Sequence, residues 1–276
     1  MNMPANKKIV PAARPKQPRP RCRPRRKVVK VGIGAALAAT LAIILFGLFF
    51  AFARQGGPVE TGAKVPPGTW CYGIDISHNN SGKIAWDSLW VMTDRRGRTV
   101  RDPYKAKDIK PVSFVFIKAT EGAIFRDRDF ERNWKAAGRS GLRRGAYHFF
   151  RSSKDGVVQA NHFIRTVGDL RFSDLPPVLD IETLHRGGNR KLLNERALQW
   201  LTTVGQHYGR KPVVYVADTF LRDYLDPSIT RNYPIWIAHY EKSRPDFEDW
   251  RWWQCTDKAV VAGVPGHVDL NLMKIN

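Results

Sequence analysis

The chain has 276 residues, 43% of them hydrophobic and 11% aromatic, with a formal net charge of +21. That composition excludes a wholly disordered chain, and the length fits one large folded domain better than several small ones. The charge does not call for nucleic acid as a partner: residues 1–30 hold eleven Lys or Arg and no acid, so the basicity is largely a property of the tail.

Residues 1–30 are rich in proline and read as a disordered basic tail whose cations suit anionic lipid headgroups. Residues 31–53 form a run of 23 with no charged side chain. At 1.5 Å per residue a helix of that length spans about 34 Å, enough for the hydrocarbon core of a bilayer. A single transmembrane helix is predicted. Cations crowd its N-terminal flank over residues 19–30, while Arg54 alone sits close on the other side. The positive-inside rule then leaves the N-terminus in the cytoplasm. It puts the rest of the chain across the cytoplasmic membrane, in the periplasm or outside the cell. The competing reading is a cleaved signal peptide ending at Ala51-Phe52-Ala53. The long basic lead and the long apolar run count against it. Residues 54–69 read as a Gly/Pro linker, and residues 70–276 as the folded domain.

Eight short runs rich in β-branched and aromatic residues follow: YGIDIS (72–77), FVFIKA (114–119), GAYHFF (145–150), PVLDIE (177–182), PVVYVA (212–217), PIWIAHY (234–240), WRWWQCT (250–256) and VDLNLM (268–273). Helical periodicity lies between the earlier ones, over 129–139, 156–168 and 190–208, with room for one short helix at 220–225. Alternating strands and helices predict an α/β fold with a parallel sheet, and eight strands predict a closed barrel whose second half is short of helices. Residues 94–110, rich in Arg, Lys and Asp, read as a surface insertion.

Acids recur at the strand ends. In PVLDIE, Asp180 and Glu182 are two residues apart, so on a strand they share one face, at the end where barrels place their sites. Two like charges that close raise one pKa and keep one carboxyl protonated. Glycoside hydrolysis needs that combination: an acid for the leaving oxygen and a carboxylate for the positive charge that develops. Alone, Asp-x-Glu also fits an exposed sheet edge. Asp75 lies between Ile74 and Ile76 and must face something polar, a site or an internal salt bridge. Glu121 ends another strand and Asp269 lies within a further one. Tyr147, Tyr215, Trp236 and Tyr240 offer flat faces to sugar rings, or simply pack a core. His78 and His148 sit near strand ends and fit the core or rim better than substrate. No Cys or His spacing suggests a metal, and no cofactor is implied. Cys22 lies in the tail. Cys71 and Cys255, on the first and seventh strands in an oxidising space, predict a disulfide near the point where the barrel closes.

These blocks, in this order, resemble the glycoside hydrolase family 25 lysozymes, the Chalaropsis-type N,O-diacetylmuramidases. The matching segments are YGIDIS, FVFIKATEG with Phe125 and Asp127 after it, GAYHFF, PPVLDIE, PVVYV, PIWIAHY, WWQCT and VDLN. The resemblance covers about residues 70–276. It implies a TIM-like, flattened (β/α)5β3 barrel and hydrolysis of the β-1,4 bond between N-acetylmuramic acid and N-acetylglucosamine in the glycan strands of peptidoglycan. It implies Glu182 as general acid/base. Asp180 would be its partner at the reactive centre, directly or through the substrate's 2-acetamido group. Asp75 and Asp269 match the remaining acids of the pocket, Asp75 among the catalytic ones. Glu121 matches a signature glutamate, and Tyr147, Tyr215 and Trp236 match groove positions. A membrane anchor and the length of 94–110 depart from the family pattern, and the insertion bears on the groove. The alternative is an inactive wall-binding or scaffolding protein on the same barrel; a chitinase-like hydrolase is a third reading.

Overall fold

The structure, a computed structural model, describes residues 61–80, 83–241 and 243–275. The predicted tail, the apolar run 31–53 and most of the linker lie outside the described residues. The described part opens with β1 (Thr61–Lys64) and β2 (Trp70–Ile76). Then come β3 (Trp90–Thr93), β4 (Arg98–Val100), the long β5 (Asp108–Glu121) and the two-residue β6 (Phe125–Arg126). From there helices and strands alternate: α1 (Phe130–Arg139), β7 (Arg143–Phe149), α2 (Gly156–Val167), β8 (Val178–Asp180), α3 (Arg190–Tyr208) and β9 (Val213–Ala217). Two short helices, α4 (Asp218–Tyr224) and α5 (Pro227–Asn232), lead to β10 (Ile235–Ala238). The chain ends on β11 (Trp250–Ala259) and β12 (Val268–Lys274).

The eight predicted strands are the eight staves of a barrel. Their order is β5-β2-β12-β11-β10-β9-β8-β7, and pairing of β5 with β7 closes the ring. Neighbours run parallel except β12, which is antiparallel to both β11 and β2. A two-stranded turn-back needs only a short loop, whereas a parallel crossover needs a dozen residues. That is why β12 follows β11 without an α-helix, whereas the parallel step from β10 to β11 is made by residues 239–249, with no α-helix among the described ones.

Three expectations are corrected. The crossover from β2 to β5 contains no α-helix among the described residues; 3-10 turns and the antiparallel strands β3 and β4 fill it, with β1 paired on β4. So β5, β7, β8 and β9 lead into α-helices, which makes four β/α units among the described residues where the resemblance implies five. Residues 94–110 belong to this small sheet and to the start of β5. Val91, just before them, packs into the core outside the staves, and Met92 and Val100 pack on Ala262. The insertion is wall rather than groove. Finally, the helix predicted at 220–225 is present as α4, and a second helix, α5, follows it where none is predicted. Asp226 accepts a hydrogen bond from the Ser228 N–H and Pro227 starts the second, where its missing N–H costs nothing.

Alternation sorts side chains on every stave. In β2, Tyr72, Ile74 and Ile76 face the helices and wall, while Cys71, Gly73 and Asp75 face the interior. The lower interior is packed with rings: Phe116 stacks on Trp236 with centroids 4.3 Å apart, and Phe114 and Trp252 stand edge-on to Phe116. Gly73 and Gly145 make room for them. A Cβ at Gly73 would lie 2.2 Å from the Phe114 ring, and one at Gly145 2.6 Å from Phe116. The rings pack as one apolar cluster, so polar side chains above them rest on an apolar floor.

The same alternation removes the predicted disulfide. Cys71 and Cys255 are free thiols. Cys71 packs with the interior rings and Cys255 with the outer core. The whole of β12 runs between their strands. Two strand spacings amount to about 9.6 Å, beyond the Cα separation a disulfide tolerates, and the thiols point to opposite faces. Burial pushes the Cys255 thiol up to about 12.

Candidate active site

At the C-terminal end of the parallel staves the interior becomes polar. A cavity of about 300 Å³ opens there, lined by Asp75, Asp180, Glu182 and Asp269 among others. Each arrives for a local reason. Asp75 and Asp269 are direct register partners across β2 and β12. Asp180 ends β8. Glu182 lies two residues past that strand rather than on it. The Ile181 N–H still donates to the Tyr215 carbonyl at 2.9 Å, so the chain stays extended. Leu179 and Ile181 face outward, fully buried, and Asp180 and Glu182 share the inward side as their spacing predicted.

Asp75 is the best-held acid. Its Oδ2 accepts from Gln254 Nε2 at 2.9 Å and from Asn271 Nδ2 at 2.7 Å. Both amides have their orientation set from behind. Trp236 Nε1, which can only donate, donates to Asn271 Oδ1 at 2.8 Å. Tyr215 and Tyr240 hydroxyls donate to Gln254 Oε1. Asp75 thus sits at the end of two donor chains that favour its anionic form and oppose the effect of burial. Burial nonetheless pushes its pKa up.

The other acids are less supported. Asp180 is buried, and its Oδ1 has no hydrogen-bond partner among the described residues. Burial, then the Glu182 charge, push its pKa well above the carboxylate range. Glu182 stands at the mouth of the cavity, exposed on one side. It too is raised, by its buried side first and then by the Asp75 charge. Burial and the Asp75 charge raise Asp269 to about 9. Asp257 also lines the cavity; the four carboxyls crowded within it cannot all ionise near neutral pH, so the cluster retains protons.

Lys118 is the cation that answers them. It projects inward from β5, 11% exposed, and lowers the pKa of both Asp180 and Glu182. Its Nζ donates to Glu121 Oε2 at 2.7 Å, and Arg151 pairs with the other Glu121 oxygen. Glu121 therefore does not line the cavity; it acts on the site through Lys118. Of the residues predicted for binding, Tyr147, Tyr215, Trp236 and Asp269 do line it, Trp236 as floor, with 2% of its surface exposed. His148 faces outward and is buried on Thr120 and Gln159, with Trp200 stacked beside it. Burial lowers its pKa to about 3, so it is neutral. His78 pairs with Asp127 at 2.7 Å and fastens the loop after β2. Lys118, Gln254 and Asn271 were not singled out from sequence. Strand parity would have found them: each has the inward phase of the acid or ring two residues away.

A family model for glycosyl hydrolases family 25 matches residues 74–264. The chain belongs to this family. As a family 25 member it is a glycoside hydrolase of the lysozyme type. An Escherichia coli relative, the uncharacterized protein YegX, is 38% identical over 219 residues, covering 78% of this chain and 74% of that protein. Lysozyme M1 of Streptomyces globisporus is 30% identical over 232 residues, covering 79% and 70%. Among solved structures, a bacterial lysozyme from Streptomyces coelicolor superposes with a TM-score of 0.63 at 28% identity, over 76% of this chain and 94% of that one. A family 25 glycosyl hydrolase from Bacillus anthracis gives 0.62 at 26%, over 80% and 96%.

Proposed function

We propose that this family 25 enzyme is a membrane-anchored muramidase that cleaves the β-1,4 bond between N-acetylmuramic acid and N-acetylglucosamine in peptidoglycan. The observation that carries the chemistry is the juxtaposition of Asp180 and Glu182 on one cavity, both raised in pKa, one enclosed and one at the open mouth. Glu182 protonates the leaving glycosidic oxygen. Asp180, anionic at that moment, meets the positive charge at the anomeric carbon, or orients the 2-acetamido group that does so. Water then supplies hydroxyl to the anomeric carbon and returns a proton to Glu182. A sugar covering Glu182 removes the water on its exposed side, which raises its hold on the shared proton and releases Asp180 to ionise. Asp75 holds the charge balance, and Lys118 keeps the pair from retaining too many protons.

The anchor rests on the 23 uncharged residues at 31–53 and the cations before them. With that anchor, the barrel lies outside the cytoplasm, beside its substrate. Digestion of peptidoglycan, followed by mass spectrometry of borohydride-reduced products, is the deciding measurement. Muropeptides with reduced muramic acid at the end are expected. Reduced N-acetylglucosamine ends, or chitin oligomers cleaved faster than wall, would overturn the bond assignment.

Lys118→Gln tests the electrostatics. Removing the cation takes away a cause that lowers both carboxyls, so both limbs of the kcat/KM profile should move to higher pH, by about one pH unit. The pH–rate profile of the purified variant reads this directly, and a shift to lower pH would contradict the assigned role.

A further inference from the structure

The barrel has two unlike ends. The acids gather at the C-terminal end of the parallel staves. The other end carries cations in stave order. Arg171 lies in the loop entering β8, Arg210 and Lys211 precede β9, and Arg231 closes α5 before β10. Arg251 begins β11, and Lys274 ends β12, which runs the opposite way and so finishes at this end. Adjacent hollows join them, with Lys211, Asn232 and Tyr233 common to two. The exposed acids at these stave entries are Asp169, Glu248 and Asp249, fewer than the cations.

Arg210, Lys274 and Arg251 are propped rather than neutralised. Arg210 donates to the Asp174 and Arg171 carbonyls, and Lys274 donates to the Glu248 carbonyl while lying 4.1 Å from the centre of the Trp250 ring. Arg251 lies over Trp252. None of these contacts supplies a negative charge. At the two ends of the arc stand apolar side chains in water. Phe172 is 99% exposed, beneath the Arg210 guanidinium, and Ile275 is 55% exposed just after Lys274. β8 and β12 are four staves apart in a ring of eight, so the two apolar groups sit on opposite sides of the rim with the cations between.

We propose that this end of the barrel docks on an anionic phospholipid bilayer, with Phe172 and Ile275 entering the headgroup layer and the cations meeting lipid phosphates. Each Lys or Arg near such a surface contributes attraction that salt screens, and an aromatic ring at the headgroup level adds an apolar anchor. A soluble polyanion would answer the cations but leave Phe172 and Ile275 in water. The docked barrel presents its acidic mouth away from the membrane, toward the wall. The inference uses the reading that the barrel works beside a membrane, and not the assignment of Asp180 and Glu182.

The test is hydrogen exchange on the full chain with vesicles of pure phosphatidylcholine or with added phosphatidylglycerol. Exchange over residues 169–173 and 270–275 should slow several-fold with anionic vesicles only, and 0.5 M salt should weaken the effect. Combining Phe172→Ser with Lys211→Glu, Arg231→Glu and Arg251→Glu should abolish the slowing. Phe172→Ser alone changes a fully exposed side chain, and should restore fast exchange at 169–173 without unfolding the barrel. Flotation with neutral vesicles reports the anchor separately, and the rate on soluble wall fragments reports the chemistry; both should be unchanged by the substitutions. Equal exchange in the two vesicle types, or slowing that survives the combined substitutions, would overturn the proposal.

Discussion

Glu182→Gln should lower kcat roughly 10²–10⁴-fold, the range a positioned general acid contributes, while KM changes little. The amide has the size and hydrogen-bonding reach of the carboxyl, so sugar binding at the cavity mouth is kept. What is lost is the proton for the leaving oxygen. Glu182 is the member of the pair that can reach that oxygen, because it stands at the opening while Asp180 is enclosed. An inactive scaffold on this barrel predicts the opposite: wall binding identical in both forms, with no turnover in either. Steady-state rates on defined muropeptide oligomers distinguish the two. Full activity in the Gln variant would remove Glu182 from the chemistry, whatever its position.

The acids were legible in the sequence because β-structure gives each residue a definite face. Asp75, Asp180 and Asp269 interrupt apolar runs in a phase that only an interior polar site explains, and Glu182 follows Asp180 by one period. Glu121 lies outside the cavity lining, beside Lys118, for a reason the sequence does not carry. The pairing of β5 with β7 slips between Lys118 and Thr120. Thr120 thereby turns outward to His148, and Glu121 lands at the rim, where it holds Lys118 instead of facing substrate. The wall made by β1, β3 and β4 was equally hidden. Its strands are three or four residues long, and their apolar side chains make sense only against Val261, Val264 and Ala262, far along the chain. The disulfide was an error of a different kind. Cys71 shares the phase of Asp75, and Cys255 has the opposite phase to Gln254, so parity alone separates them. Nearness in stave order was mistaken for nearness of side chains.

Asp180→Asn should lower kcat roughly 10²–10³-fold, as loss of a preorganised charge does, and should at the same time make the protein more stable. The stability argument turns on sign. Burial, then the Glu182 charge, raise the pKa of Asp180 in the folded state. Between about pH 4 and that raised value the folded protein holds a proton that the unfolded chain has released. Stability contributed by such a group is full below pH 4 and declines as pH rises. An Asn has no such decline. The melting temperatures of the variant and the parent should therefore be close at pH 4 and diverge toward pH 8, with the variant higher. Asp75, Asp269 and Glu182 are also raised and remain in both proteins, so both should lose stability as pH rises, and the difference reports Asp180 together with its coupling to Glu182. Scanning calorimetry at the two pH values gives that difference. A gap that closes as pH rises would mean that Asp180 is held as a carboxylate by the folded site. The proton that Glu182 delivers could not then have been shared with it.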